Sequence, residues 1–320
     1  MSTDPAAASP RPPFHPVRSI LLHLSESKRL APLIIHNGLS RRVARRFVAG
    51  ETLDEAIEAA REVNRNLQLA SLDQLGENIA DEAGAVRTAE GYLSVFDRIA
   101  HARLDANVSL KLTQLGLDLG VPLCQKLLEK IVAHATKQTN FVRVDMEGSA
   151  YTQRTIEIVK SVRAKYAAVG TVMQAYLYRT EQDIRDLLAV GCRIRLCKGA
   201  YNEPAQVAFP KKADVDANYV KLMKILLPSG IYHGIATHDP AMIQATKDFA
   251  KEKNIGHDKF EFQMLYGIRT DLQDGLVREG FRVRVYIPYG TDWFPYFMRR
   301  LAERPANLKF FLKSLLPRSS

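Results

Sequence analysis

The chain has 320 residues, 46% hydrophobic and 25% charged, the balance of a soluble globular protein with room for one barrel-sized domain or two smaller ones. It has no apolar run of about eighteen residues, so no helical membrane span is expected. The formal net charge of +10 invites an anionic partner, but the interleaved basic and aromatic residues of a nucleic-acid module are not evident, and a nucleic-acid partner is not expected.

In chain order, residues 1–16 (MSTDPAAASPRPPFHP) are biased toward Pro, Ala and Ser and lack an apolar signal-peptide core; a flexible tail is expected there, and no secretory signal. Residues 17–66 read as helices. Apolar positions recur at three- and four-residue spacing through SRRVARRFVAGETLDEAIEAAREVNRN, Gly50 interrupts them, and Thr52 with Glu55 forms a capping box for the next helix. Arg41, Arg42, Arg45 and Arg46 line one side of this region, as a solvated face or as a contact for lipid or polyanion.

From residue 67 to 320 short β-rich runs alternate with helical periodicity. The strand candidates are Leu67–Leu75, Asn107–Leu112, Phe141–Met146, Thr171–Leu177, Cys192–Cys197, His233–Thr237, Phe260–Leu265 and Arg282–Ile287. Thr180–Val190 and Pro240–Lys253 are clear helices between them. Strand–helix alternation implies a parallel sheet, and eight units close it into a (β/α)₈ barrel. No G-x-G-x-x-G follows a strand, against a dinucleotide-binding fold. Cys124, Cys192 and Cys197 have no paired spacing and sit in apolar surroundings; they read as reduced, packed thiols of a cytoplasmic protein, and no metal site is expected.

Polar residues cluster near the strand ends: Glu77, Lys111, Asp145 with Glu147, Gln174, Arg195 with Lys198, Thr237 with His238, Glu261 with Gln263, and Tyr286. In a (β/α)₈ barrel the C-terminal ends share one rim, where loops build the active site. Charges inside apolar strands, such as Lys111 in SLKL and Asp145 in VRVDM, are costly unless paired or used. A second constellation lies in TDWFPYFMRRLAERPAN. Pro295 suits a first helical turn, Asp292 suits a cap before it, and Tyr296, Arg299, Arg300 and Glu303 then share a helical face. Two adjacent guanidinium groups suit bidentate recognition of a carboxylate, and phosphate would fit them equally.

With LDQLGE, SLKLTQLGLDL, RVDMEGS, MQAYL, RLCKGAY, ATHD and FEFQMLYG added to that last segment, the sequence from about Leu53 to Leu316 resembles the proline dehydrogenase family, in its short bacterial single-activity form. The resemblance implies oxidation of L-proline to Δ1-pyrroline-5-carboxylate by hydride transfer to N5 of a non-covalent FAD, with electrons passed to a membrane quinone. It implies that Arg299, Arg300 and Lys111 bind the proline carboxylate and that Glu77 holds Arg299. Tyr286, Tyr296 and Leu265 would wall the ring, and Asp145 and Tyr201 would complete the pocket. Gln174, Arg195, Lys198, Thr237, His238 and Glu303 would hold FAD. Asp239 stands where the family commonly has Asn, Cys197 where Val is common, and Asn202 where the bifunctional members have Trp. A quinone acceptor makes peripheral contact with the inner membrane compatible with the enzyme. Two other readings stand beside this one. A barrel using its basic rim for phosphate would carry Gly-rich loops after the last strands, and YGIRTD and PYGTDW are weak versions. A basic binding protein for nucleic acid or membrane would show salt-dependent polyanion binding and no flavin.

Overall fold

The computed structural model describes residues 44–76 and 79–303; Glu77, and the side chains of Arg299 and Glu303, lie outside the described residues, as do the tail and the first helices expected before residue 44. The described residues fall into two units, those up to Trp293 in one and residues 294–303 in the other.

The first unit opens with α1 (Leu53–Arg65), whose start is set by the capping box: the Thr52 hydroxyl accepts from the Glu55 amide while the Glu55 carboxylate accepts from the Thr52 amide, 3.3 and 3.1 Å. Its apolar face, Ala56, Ile57, Ala60 and Val63, is buried against the barrel. Strands and helices then alternate: β1 (Leu69–Gln74), α2 (Glu82–His101), β2 (Ala106–Leu110), α3 (Val121–Lys137), β3 (Val142–Val144), α4 (Ser149–Arg163), β4 (Val169–Gln174) and α5 (Thr180–Ala189). The second half is β5 (Arg193–Cys197), α6 (Lys212–Leu226), β6 (His233–Ala236), α7 (Pro240–Glu252), β7 (Phe260–Leu265), α8 (Thr270–Arg278) and β8 (Val283–Tyr289). The eight parallel strands close in sequence order, β8 returning to β1 in the register Ser71↔Tyr286. The (β/α)₈ expectation holds. β3 is shorter than its apolar run, and β4 leaves the ladder after Gln174, where the chain turns into α5 and Thr180 donates its hydroxyl to the Gln174 carbonyl.

Along the strands, outward residues such as Leu72, Val108, Leu110, Val144, Ile194, Phe262 and Val285 are buried with the helices in one continuous core. The lumen is unusual for this fold, whose interior layers are ordinarily branched apolar side chains. Side chains from non-neighbouring strands bond one another and must therefore meet across the lumen: Arg195 (β5) with Ser109 (β2) and Gln263 (β7), and Tyr286 (β8) with Asp145 just past β3. Two inward glycines make room for this. A Cβ at Gly170 would lie 2.2 Å from the Arg193 carbonyl and 2.9 Å from the Arg143 guanidinium; one at Gly234 would lie 2.4 Å from the Gln263 amide.

In the second unit the described residues, 294–303, belong to α9 (Trp293–Glu303), with Pro295 in its first turn. Within it the Arg300 guanidinium lies over the Tyr296 ring, 5.2 Å from its centroid.

Candidate active site

The barrel mouth is organised around Arg195. Its Nη1 donates to Asp145 Oδ1 at 2.7 Å, its Nη2 to Ser109 Oγ at 2.9 Å, and its Nε to Gln263 Oε1. Asp145 takes a second hydrogen bond from the Tyr286 hydroxyl at 2.8 Å, and the Arg195 guanidinium stands 5.2 Å from the Tyr286 ring centroid. Arg195 and Asp145 are 7% and 9% exposed, so the pair is desolvated and its geometry is fixed by charge-assisted bonds. Burial, with the charges of Asp145 and Asp73 nearby, pushes the Tyr286 phenol well above its ordinary value, so it stays a donor at any physiological pH.

Lys111, one residue past β2, sends Nζ toward Asp73 of β1 at 3.3 Å. Asp73 is fully enclosed; burial, reinforced by the Asp145 charge, raises its carboxyl to about 6 despite the Lys111 ammonium. Asp73 is a site residue that was not among those expected from the sequence. The signal was available, because an acid in LASLDQ breaks an apolar strand as Lys111 breaks SLKL.

Around the rim, the ends of β4, β5 and β6 lie side by side and bring together most of the residues expected to hold a cofactor. Gln174 donates to the Glu147 carbonyl at 2.9 Å. Lys198 is gripped by Asp216 and by Asp239, the latter at 2.7 Å. The Thr237 hydroxyl accepts from the Asp239 amide at 3.0 Å, and His238 Nε2 accepts from the Leu265 amide at 2.9 Å, which leaves the ring proton on Nδ1. Tyr201 lies in the loop after β5 and is 38% exposed. Gly199 has φ +129°, and a Cβ there would lie 2.3 Å from the Tyr176 ring, so only glycine lets this loop close over the end of β4.

One sequence expectation is corrected. Glu261 is the second residue of β7, toward the N-terminal end of the barrel, and does not reach the rim. It is paired twice with Arg284 at 2.7 and 3.0 Å and accepts from Tyr232 at 2.9 Å. Burial alone would raise its carboxyl, but the Arg284 charge and the hydrogen bonds from Arg284, Gln263 and Tyr232 outweigh burial and hold it below the ordinary glutamate range. Its role is in the lumen floor. The cysteines pack: Cys124 and Cys192 are buried, and burial pushes the Cys124 and Cys197 thiols up to about 12, far from nucleophilic. Among the described residues no helix is long and apolar enough to cross a membrane, and no cluster of His, Cys, Asp and Glu comes together as metal ligands.

In closed (β/α)₈ barrels the C-terminal ends of the strands are where active sites are built, and the buried charged set lies there. The proline dehydrogenase family model matches residues 56–313. The chain is 45% identical over 298 residues to proline dehydrogenase 2 of Bacillus subtilis (strain 168), covering 93% of this chain and 98% of that one. It is 42% identical over 279 residues to the proline dehydrogenase of Deinococcus radiodurans, covering 86% and 90%. In fold it is similar to proline utilization A from Bdellovibrio bacteriovorus, with a TM-score of 0.80 at 24% identity over 95% of this chain and 38% of that one. The chain belongs to the proline dehydrogenase family and is an oxidoreductase that acts on proline.

Proposed function

We propose that the barrel mouth oxidises L-proline to Δ1-pyrroline-5-carboxylate, with Lys111, Arg299 and Arg300 receiving the carboxylate and Leu265, Tyr286 and Tyr296 walling the ring. Asp145 and Tyr201 complete the pocket, and Glu77 holds Arg299. The observation that carries this reading is the desolvated set Arg195–Asp145–Tyr286 beside Lys111–Asp73, in a chain of this family. The parts at 77, 296, 299, 300 and 303 rest on the motifs that contain them.

FAD, bound without a covalent link, would be held by Gln174, Arg195, Lys198, Thr237, His238 and Glu303. The donor chemistry of the site fits it: an amide, a guanidinium and an ammonium line adjacent strand ends, suited to an anionic, hydrogen-bonding ring system and a pyrophosphate. When bound, FAD supplies the acceptor for the two electrons and the hydrogen that leave C5 of proline. The protein's part is positioning and electrostatics. Lys111, its charge balanced by Asp73, fixes one end of the substrate without flooding the pocket with uncompensated cation. Asp145, already accepting from Arg195 and Tyr286, orients those two groups and is poorly placed to act as a base. The substrate nitrogen must lose its proton before an imine forms. Nearby cations favour that loss, and water can take the proton.

The electrons would pass to a membrane quinone, an acceptor compatible with peripheral contact between a cytoplasmic enzyme and the inner membrane; activity found entirely in the low-salt soluble fraction of lysed cells would contradict the contact. The pocket assignment is tested by Lys111→Met and Arg300→Met. Each should raise KM for proline about tenfold to a hundredfold, the worth of one charge-assisted contact, with flavin content unchanged. An unaltered KM in both would remove the carboxylate clamp.

A further inference from the structure

The lumen carries a hydrogen-bonded line from its floor to its mouth that the reaction itself does not call for. Arg284 on β8 is bonded twice to Glu261 on β7. Glu261 Oε1 accepts from Gln263 Nε2 at 2.5 Å, and Gln263 Oε1 accepts from Arg195 Nε. Arg195 then spends its two Nη groups on Asp145 and Ser109.

The polarity of this line is imposed from below. A glutamine side chain can face its neighbours either way round, with the amide or the carbonyl toward a given partner. An ionised carboxylate can only accept, so Glu261 forces the Gln263 NH₂ downward and the Gln263 carbonyl upward. The upward carbonyl is the acceptor that Arg195 Nε–H needs. With Nε occupied, the planar fork is left one orientation, Nη1 to Asp145 and Nη2 to Ser109. Glu261 is held ionised by Arg284 and Tyr232, which is why its carboxyl lies below the ordinary range although buried. Space is part of the device: Gly234 on β6 leaves room for the Gln263 amide, which a Cβ would approach to 2.4 Å.

We infer that Glu261 and Gln263 are positioning residues which fix the orientation of the Arg195 guanidinium in the active site from the floor of the barrel. Its consequence for catalysis rests on the reading above, in which Arg195 meets the flavin.

Two readouts test it on the purified flavin-loaded enzyme. The first concerns the relay alone. In a ¹⁵N–¹H spectrum the Arg195 Nε–H, identified by its absence in Arg195→Met, should exchange slowly with solvent in the wild type. It should be lost or fast in Gln263→Leu, and also in Gly234→Ala, which crowds the amide but deletes no polar group. A slow Nε–H that survives in both overturns the proposal. The second readout is the flavin reduction potential and the FAD dissociation constant. Gln263→Leu should raise that constant about threefold or more and move the potential in the direction that Arg195→Met does. Glu261→Gln should add nothing in the Gln263→Leu background. Should Arg195→Met move the potential while Gln263→Leu and Gly234→Ala leave it in place, the relay is overturned. Should the Nε–H be lost on schedule while even Arg195→Met leaves the flavin untouched, the relay stands and the placement of Arg195 against the flavin fails.

Discussion

Asp73 is a carboxylate of the mouth, raised to about 6 by burial and by Asp145. Above about pH 6 it is ionised and balances Lys111; below, it takes up a proton and the balance is lost. The wild type should therefore show an acid limb in kcat/KM near pH 6 that Asp73→Asn lacks, measured as pH profiles of the two proteins. A limb of unchanged position in the variant would assign that titration elsewhere. Lys111 and Asp145 were legible in the sequence because a charge in an apolar strand needs a partner or a task. Asp73 answers the same description. The partnerships were not legible, since Arg195 with Ser109, Gln263 and Asp145 depends on which strands face across a closed lumen.

At the level of elements, strand–helix alternation carried the barrel. Capping chemistry located α1 at Thr52, and β-branched runs located the strands to within a few residues. Register was the illegible part. Glu261 read as a rim residue because FEFQML is a short run with polar residues along its length; its place as the second residue of β7, toward the N-terminal end of the barrel, is what puts it low. Two expectations belong here. Gly170→Ala should cost about 1–3 kcal/mol by overpacking, because its Cβ would meet the Arg193 backbone carbonyl at 2.2 Å and backbone cannot step aside as a side chain can. Denaturant unfolding checks it, and wild-type stability would show that β4 shifts freely. Glu261→Gln breaks a buried pair and should cost about 3–5 kcal/mol at pH 7. Because the Glu261 carboxyl is depressed in the fold, its contribution is present above the unfolded value of 4.5 and lost as pH falls through the lower, folded value. The gap between variant and wild type should therefore narrow on acidification below about pH 4.5; a gap independent of pH would mean that the loss is packing rather than charge.

Across the whole molecule, a wall of apolar strand faces and helices encloses a lumen where charges are arranged in pairs, Arg284–Glu261 at the floor and Arg195–Asp145 and Lys111–Asp73 at the mouth. Buried charges already paired in this way are preorganised, so under the proposed reading a small zwitterion would be received with little rearrangement. The fold rests on sequence and structure together, and membership of the family with its action on proline rests on the family match and the relatives; the chemistry turns on the flavin. The purified protein should show a flavin absorption band, and L-proline added without oxygen should bleach it as Δ1-pyrroline-5-carboxylate appears. A colourless protein that turns over proline, or a flavin band that proline leaves unbleached, would contradict this account.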